Sequence, residues 1–304
     1  MRSPLLQASL FQAPLLQVWR RRRWRPDRAA LAAYHGLKPM VVVTGASQGI
    51  GYALARRFAV AGNDLILVAR RPQPLEEAAA QIRADFHIDA VAVPADITTP
   101  QAIDVIEAAL ADRRAFADVL INNAGMGLAG EFIGQPPEAV LQLLELNVLA
   151  LTRLMRHFLP GMRVRGRGGI LNLASLGGYV PGPYQAAYYA SKAYVLALSE
   201  AVAAETAGEG VRVSALAPGP VNTNFHRHMG SERSLYRYLV PPASPERVAA
   251  AAYCGFALGW RVIIPGFFNP VLALALRILP HRIGIAIVGW LLKPRWQSKS
   301  TIQS

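Results

Sequence analysis

Three side chains in the second half of the chain have the types and spacing that proton chemistry at a carbonyl requires: Ser175, Tyr188 and Lys192. Tyr188 and Lys192 lie four residues apart in Tyr188-Tyr189-Ala190-Ser191-Lys192, and on a helix that spacing puts them on one face. Tyr189 is then turned about 100° away. A free phenol titrates near ~10 and exchanges protons poorly at neutral pH, whereas an adjacent ammonium favours phenolate and draws that value down. Ser175 closes an apolar run and has a hydroxyl that can donate to a carbonyl oxygen as negative charge gathers there. Taken singly, each has an ordinary use as core phenol, solvated amine or helix cap. Their coincidence is what points to chemistry.

Such a set needs a reaction partner held beside it, and the stretch Val41–Gly51, VVVTGASQGIG, supplies a holder. An apolar strand runs into a turn with Gly45, Gly49 and Gly51 and then into an amphipathic run over Ile50–Ala61. Glycines at these places permit a sharp turn, a close approach of backbone N–H groups to a pyrophosphate, and tight packing of the following helix. The helix N-terminus adds unpaired N–H groups and partial positive charge. Thr44, Gly45, Ser47, Gly49, Ile50 and Gly51 are therefore the expected phosphate-side contacts of a dinucleotide. The next strand ends in Ala69-Arg70-Arg71, where an acid would hold the ribose hydroxyls and repel a 2′-phosphate. Two guanidiniums in its place suit that phosphate, so NADP(H) is expected over NAD(H). Asp96 in PADIT can accept from an adenine amino group or cap the next helix. Asn123-Ala124-Gly125 follow a fourth strand with side chains small enough for backbone to pass a bound cofactor.

The elements that must position these residues alternate along the chain. Apolar strands are expected at 41–44, 64–69, 90–94, 119–122, 170–174, 212–216 and 261–264. Helical runs lie near 50–61, 74–86, 100–114, 138–159, 184–207 and 245–258. Such alternation specifies an α/β fold, a doubly wound parallel sheet of about seven strands with helices on both faces. No internal repeat or low-complexity linker interrupts it.

With T-G-x-x-x-G-x-G, N-N-A-G, Asn147, Ser175, Y-x-x-x-K and Pro218-Gly219 in this order, the chain resembles the short-chain dehydrogenase/reductase family over about residues 40–266. The resemblance implies a Rossmann-type sheet, hydride transfer with a nicotinamide cofactor, and a catalytic tetrad of Asn147, Ser175, Tyr188 and Lys192. In it, Tyr188 delivers the proton and Lys192 bonds the nicotinamide ribose as well as perturbing the phenol. Asn147 holds a relay water. Pro218, Gly219, Val221 and Thr223 pass the nicotinamide carboxamide.

Bulk properties bound the rest. The chain has 304 residues, 53% hydrophobic and 17% charged, and a net charge of +13. Ten of those charges lie on the ends: residues 1–39 hold eight Lys or Arg and one acid, and the last twelve residues add Lys293, Arg295 and Lys299. The nearly balanced middle argues against nucleic-acid binding by the core. The single cysteine, Cys254, excludes an internal disulfide and is expected to be a buried small hydrophobe. No His/Cys/Asp cluster has metal-ligand spacing. His226 and His228 read as loop residues.

The expected division is a basic segment 1–39, a catalytic domain 40–266 and an apolar helical extension 267–304. The first segment reads as a disordered extension, a membrane-surface helix or a transit-like leader, with Met40 as an alternative translation start. In the last, two apolar runs near 270–279 and 283–292 flank Pro280-His281-Arg282 and are each too short to span a bilayer. They either cover the domain's own core or meet a bilayer interface, an acyl-type substrate or another subunit. A similar extension occurs in 3-oxoacyl and hydroxysteroid reductases. The sequence thus predicts a cytoplasmic NADP(H)-dependent reductase of an apolar ketone or aldehyde, either in peripheral contact with a membrane or homo-oligomeric. It leaves open the oxidative direction and a non-catalytic dinucleotide sensor.

Overall fold

The computed structural model describes residues 36–231, 234–236 and 241–293. Seven strands, β1 (Lys38–Thr44), β2 (Asp64–Ala69), β3 (Ala90–Pro94), β4 (Ala115–Asn122), β5 (Gly168–Leu173), β6 (Val211–Leu216) and β7 (Val262–Ile263), form one parallel sheet in the order β3-β2-β1-β4-β5-β6-β7. Lys38 and Pro39 already belong to β1, two residues inside the segment expected to precede the fold. Residues 1–35, with the Arg20–Arg23 run, lie outside the described residues, as do Arg295 and Lys299.

Alternate residues of the central strands feed two separate cores, as a sheet covered on both faces requires. Met40, Val42, Ile66 and Val68 pack on one face under α3 (Gln101–Asp112), α5 (Leu151–Val164) and α6 (Ala186–Glu205). Val41, Val43, Leu65 and Leu67 pack on the other under α1 (Gly49–Val60), α2 (Pro72–Phe86) and α8 (Pro245–Leu258). Each strand is therefore apolar throughout, which is why its sequence lacks the alternation of a half-exposed strand.

Two departures from the sequence reading bear on the site. The single helical run expected over 138–159 divides into α4 (Pro137–Leu144), one π-helical stretch (Glu145–Ala150) and α5, with buried Asn147 inside the π stretch. Periodicity cannot register one extra residue per turn, and such bulges recur at functional sites. Cys254 on α8 is exposed, not buried, because the helix turns its opposite side, Val248, Ala252 and Phe256, into the core.

Beyond β7 the chain forms α9 (Asn269–Ile278) and α10 (His281–Leu292), joined at Pro280. On their inner side Val288 and Leu292 are buried with Val180, and Tyr184, Tyr189, Tyr236 and Leu276 pack around them.

Candidate active site

The sheet order reverses between β1 and β4, and in open parallel sheets the crevice at the carboxyl ends of two such strands is where a ligand can enter. Thr44 at the end of β1 ties the two strands together. Its hydroxyl donates to the Ile121 carbonyl at 3.2 Å and accepts from the amides of Asn123 and Ala124 at 3.0 and 3.1 Å. The Asn123 side-chain amide donates to the Thr44 and Gly45 carbonyls at 2.9 and 3.2 Å. Gly45 has φ +66°, and a Cβ there would meet the Asn123 amide at 2.8 Å; at Gly51 it would overlap the Gly45 carbonyl oxygen. Helix α1 can therefore seat its first turn against the strand end only because these two residues lack side chains.

A cleft of about 1420 Å³ opens above this junction. Gly45, Ser47, Gly49, Ile50, Arg70, Arg71, Asp96, Asn123, Ala124, Gly125, Pro218, Gly219, Val221 and Thr223 all line it, and so do Ser175, Tyr188 and Lys192. Thr44, Gly51 and Asn147 are buried and do not themselves line it. Asn147 accepts from the Met126 amide at 2.9 Å and donates to the Met126 carbonyl at 2.8 Å and to Ser191 at 3.1 Å. Asp96 Oδ1 is engaged by the backbone and hydroxyl of Thr98 at 3.0 and 2.7 Å, so the local turn uses part of its capacity.

Helix α6 carries Tyr188 and Lys192 on one face, as their spacing predicts. The Lys192 Nζ lies 5.8 Å from the centroid of the Tyr188 ring and donates to the Leu173 carbonyl at 2.7 Å. Ser175 is an extended residue capping the 3₁₀ turn Leu176–Tyr179, and its Oγ accepts from the Gly177 amide at 3.1 Å. The phenol shifts opposite to the expected acidification. Burial pushes Tyr188 up to about 12, a hydrogen bond with Ser175 pulls back, and nearby Tyr236 adds a smaller upward push. Burial likewise brings Lys192 down to about 8. Desolvation dominates both groups, and the amine's hydrogen bond goes to the Leu173 carbonyl.

The far wall of the cleft holds residues that the sequence did not single out. Phe225 and Met229 of α7 (Phe225–Met229) sit over Gly127, and the Phe225 ring lies 5.6 Å from that of Tyr188. Leu272, Leu276, Ile287 and Val288 of the last two helices complete it. Tyr189, expected to turn away, also lines the cleft because the glycines at 177 and 182 admit its ring. Gln185, directly before α6, is buried in this wall with its Nε2 unpartnered. Only the position of Gln185, three residues before Tyr188, could have drawn notice to it.

The family model described as short chain dehydrogenase matches residues 39–234. The chain is a short-chain dehydrogenase/reductase. This oxidoreductase family membership is mirrored in individual relatives. The chain is 35% identical over 218 residues to galactitol 2-dehydrogenase (L-tagatose-forming) of Cereibacter sphaeroides, covering 69% of this chain and 84% of that one. Among solved structures, a short-chain dehydrogenase from Sphingobium yanoikuyae in complex with NADPH superposes with a TM-score of 0.70 at 35% identity, over 78% of this chain and 92% of that one. A bulky-bulky ketone specific alcohol dehydrogenase from Comamonas testosteroni gives 0.66 at 31%, over 75% and 86%.

The short-chain dehydrogenase/reductase fold uses a nicotinamide dinucleotide, and the cleft fits one. Helix α1 begins without a side-chain cap and with no acid in its first turn, so its N–H groups are left for an anion beside Gly45, Ser47 and Gly49. Exposed Arg70 and Arg71 line the same end and form no ion pair among the described residues. Among those residues no group of His, Cys, Asp and Glu could hold a metal ion.

Proposed function

We propose that this enzyme reduces an apolar ketone or aldehyde with NADPH, Tyr188 serving as the proton donor. The observation that carries the reading is the placement of Tyr188, one helical turn from Lys192, in the same cleft as Ser175, the Gly45–Gly49 turn and the apolar side chains Phe225, Leu276 and Val288. The dinucleotide, when bound, supplies hydride to the carbonyl carbon. Ser175 and Tyr188 hydrogen-bond the carbonyl oxygen, and the phenol proton passes to that oxygen as it becomes an alkoxide. A phenol pushed up to about 12 stays protonated at neutral pH, the form that a proton donor needs. Lys192, anchored by the Leu173 carbonyl, positions the ribose and supplies positive charge beside Tyr188. Asn147 acts through Met126 and Ser191, fixing the β4 loop against α6.

Arg70 and Arg71 support the phosphorylated cofactor by charge, and Phe225, Met229, Leu276 and Val288 support an apolar substrate by surface type. Tyr188→Phe tests the central claim. Turnover of a ketone should fall about 10³-fold while NADPH affinity, read by fluorescence titration, stays within twofold. Unchanged turnover would remove Tyr188 from the reaction.

A further inference from the structure

The last two helices carry an apolar surface that the molecule's own core does not use. Val271, Leu274 and Ile278 recur along α9 and are 67%, 57% and 72% exposed; Ile283, Ile287 and Trp290 recur along α10 at 50%, 47% and 62%. Each set follows the i, i+3/i+4, i+7 spacing of one helical face. Isolated exposed apolar side chains are ordinary, but a row of them on each of two consecutive helices marks a surface that is covered by something else.

Charge decides what covers it. Arg277, Arg282 and Lys293 sit at the ends of the two helices and are exposed, and neither helix carries an Asp or Glu. Three exposed cations with no acid on the same helices disfavour a second copy of this face and match a layer of anionic headgroups. The helices are 10 and 12 residues long, and no helix among the described residues is long and apolar enough to cross a membrane, so such contact would lie in the interface plane. The apolar face also continues inward: Leu272 and Ile287 are exposed outside and line the cleft inside.

We propose that α9 and α10 form a docking surface for an anionic lipid bilayer, held so that the substrate arm opens toward the membrane. Docking stands on the surface alone; delivery of an apolar carbonyl compound from the bilayer rests on the function proposed above. The test is co-sedimentation of the full chain with vesicles of phosphatidylcholine alone or with added phosphatidylserine, compared with the variant Ile278→Glu/Ile283→Glu/Trp290→Glu. None of these three residues lines the cleft. The wild type should partition at least tenfold better onto vesicles containing phosphatidylserine and be released by salt, Arg277→Gln and Arg282→Gln should each weaken it about fivefold, and the triple variant should not bind. The triple variant should keep its activity on a short water-soluble ketone and lose activity on a long-chain ketone presented in vesicles. Vesicle binding that survives the triple substitution would overturn the docking claim, as would absence of binding together with a dimer that the triple substitution dissociates. Loss of all ketone turnover would count against the function and leave the vesicle result to judge docking.

Discussion

On the β1 and β4 side, the cleft is walled by backbone: Gly45, Gly49, Ala124, Gly125 and the uncapped start of α1. Across from it, the wall is made of side chains, from Phe225 and Met229 to Leu276, Ile287 and Val288. The first wall works only with residues that have no Cβ or a small one at fixed places, since a Cβ at Gly51 would overlap the carbonyl of Gly45. The second needs only apolar volume, which many sequences provide. A site made by main chain is thus rigid in sequence and general in ligand, and a site made by side chains is the reverse.

Substitutions should separate the two walls. The largest effect is expected of Gly51→Ala, which should cost about 2–3 kcal/mol in urea unfolding through overpacking and reduce dinucleotide affinity more than a hundredfold by calorimetric titration. A folded variant with unchanged affinity would show that the backbone wall is less constrained than described. Arg70→Ala should come next, lowering the NADPH over NADH preference in kcat/KM by about tenfold to a hundredfold, the scale of one charge-assisted phosphate contact. On the opposite wall, Leu276→Ala should lower kcat/KM for a long-chain ketone about tenfold and leave a short ketone unaffected. Equal losses for both would mean that Leu276 supports the fold and not the pocket.

The smallest effect is a pH response shared by both walls, since Lys192 and Tyr188 lie where they meet. Lys192 loses its proton near 8 and Tyr188 only near 12, so the alkaline limb of kcat/KM for reduction should fall near pH 8 and belong to Lys192. Lys192→Arg should remove that limb while lowering the plateau, because a guanidinium keeps its charge. For stability the signs oppose. Between about 8 and the ordinary lysine value of 10.5 the unfolded chain binds the extra proton, and stability from Lys192 rises with pH; between 10 and about 12 the folded chain holds the Tyr188 proton, and stability falls.

How much could be read before the fold was seen follows the same division. The strands showed as apolar runs because both faces are covered, and the glycine turn, the Asn123 turn and the Tyr188–Lys192 pair showed because each is local in sequence. The π stretch around Asn147 did not show, nor did the exposure of Cys254, since one depends on an inserted residue in a helical turn and the other on which side of α8 meets the sheet. The ionisation of Tyr188 is of the same kind: residue types give the attraction of an ammonium, while burial and the partner of the amine are set by packing.

Sequence by itself determined the sheet order's ingredients, the phosphate-binding turn and the reacting trio, because short-range spacing and residue type are enough to specify backbone geometry and helical faces. Tertiary structure alone decided that α7, α9 and α10 come together as the second wall, that Thr44, Gly51 and Asn147 are buried and do not line the cleft, and that desolvation governs the phenol. Those outcomes depend on contacts between segments up to about a hundred residues apart, such as Tyr189 with the helices near Val288, and no local pattern encodes which distant surface will meet which.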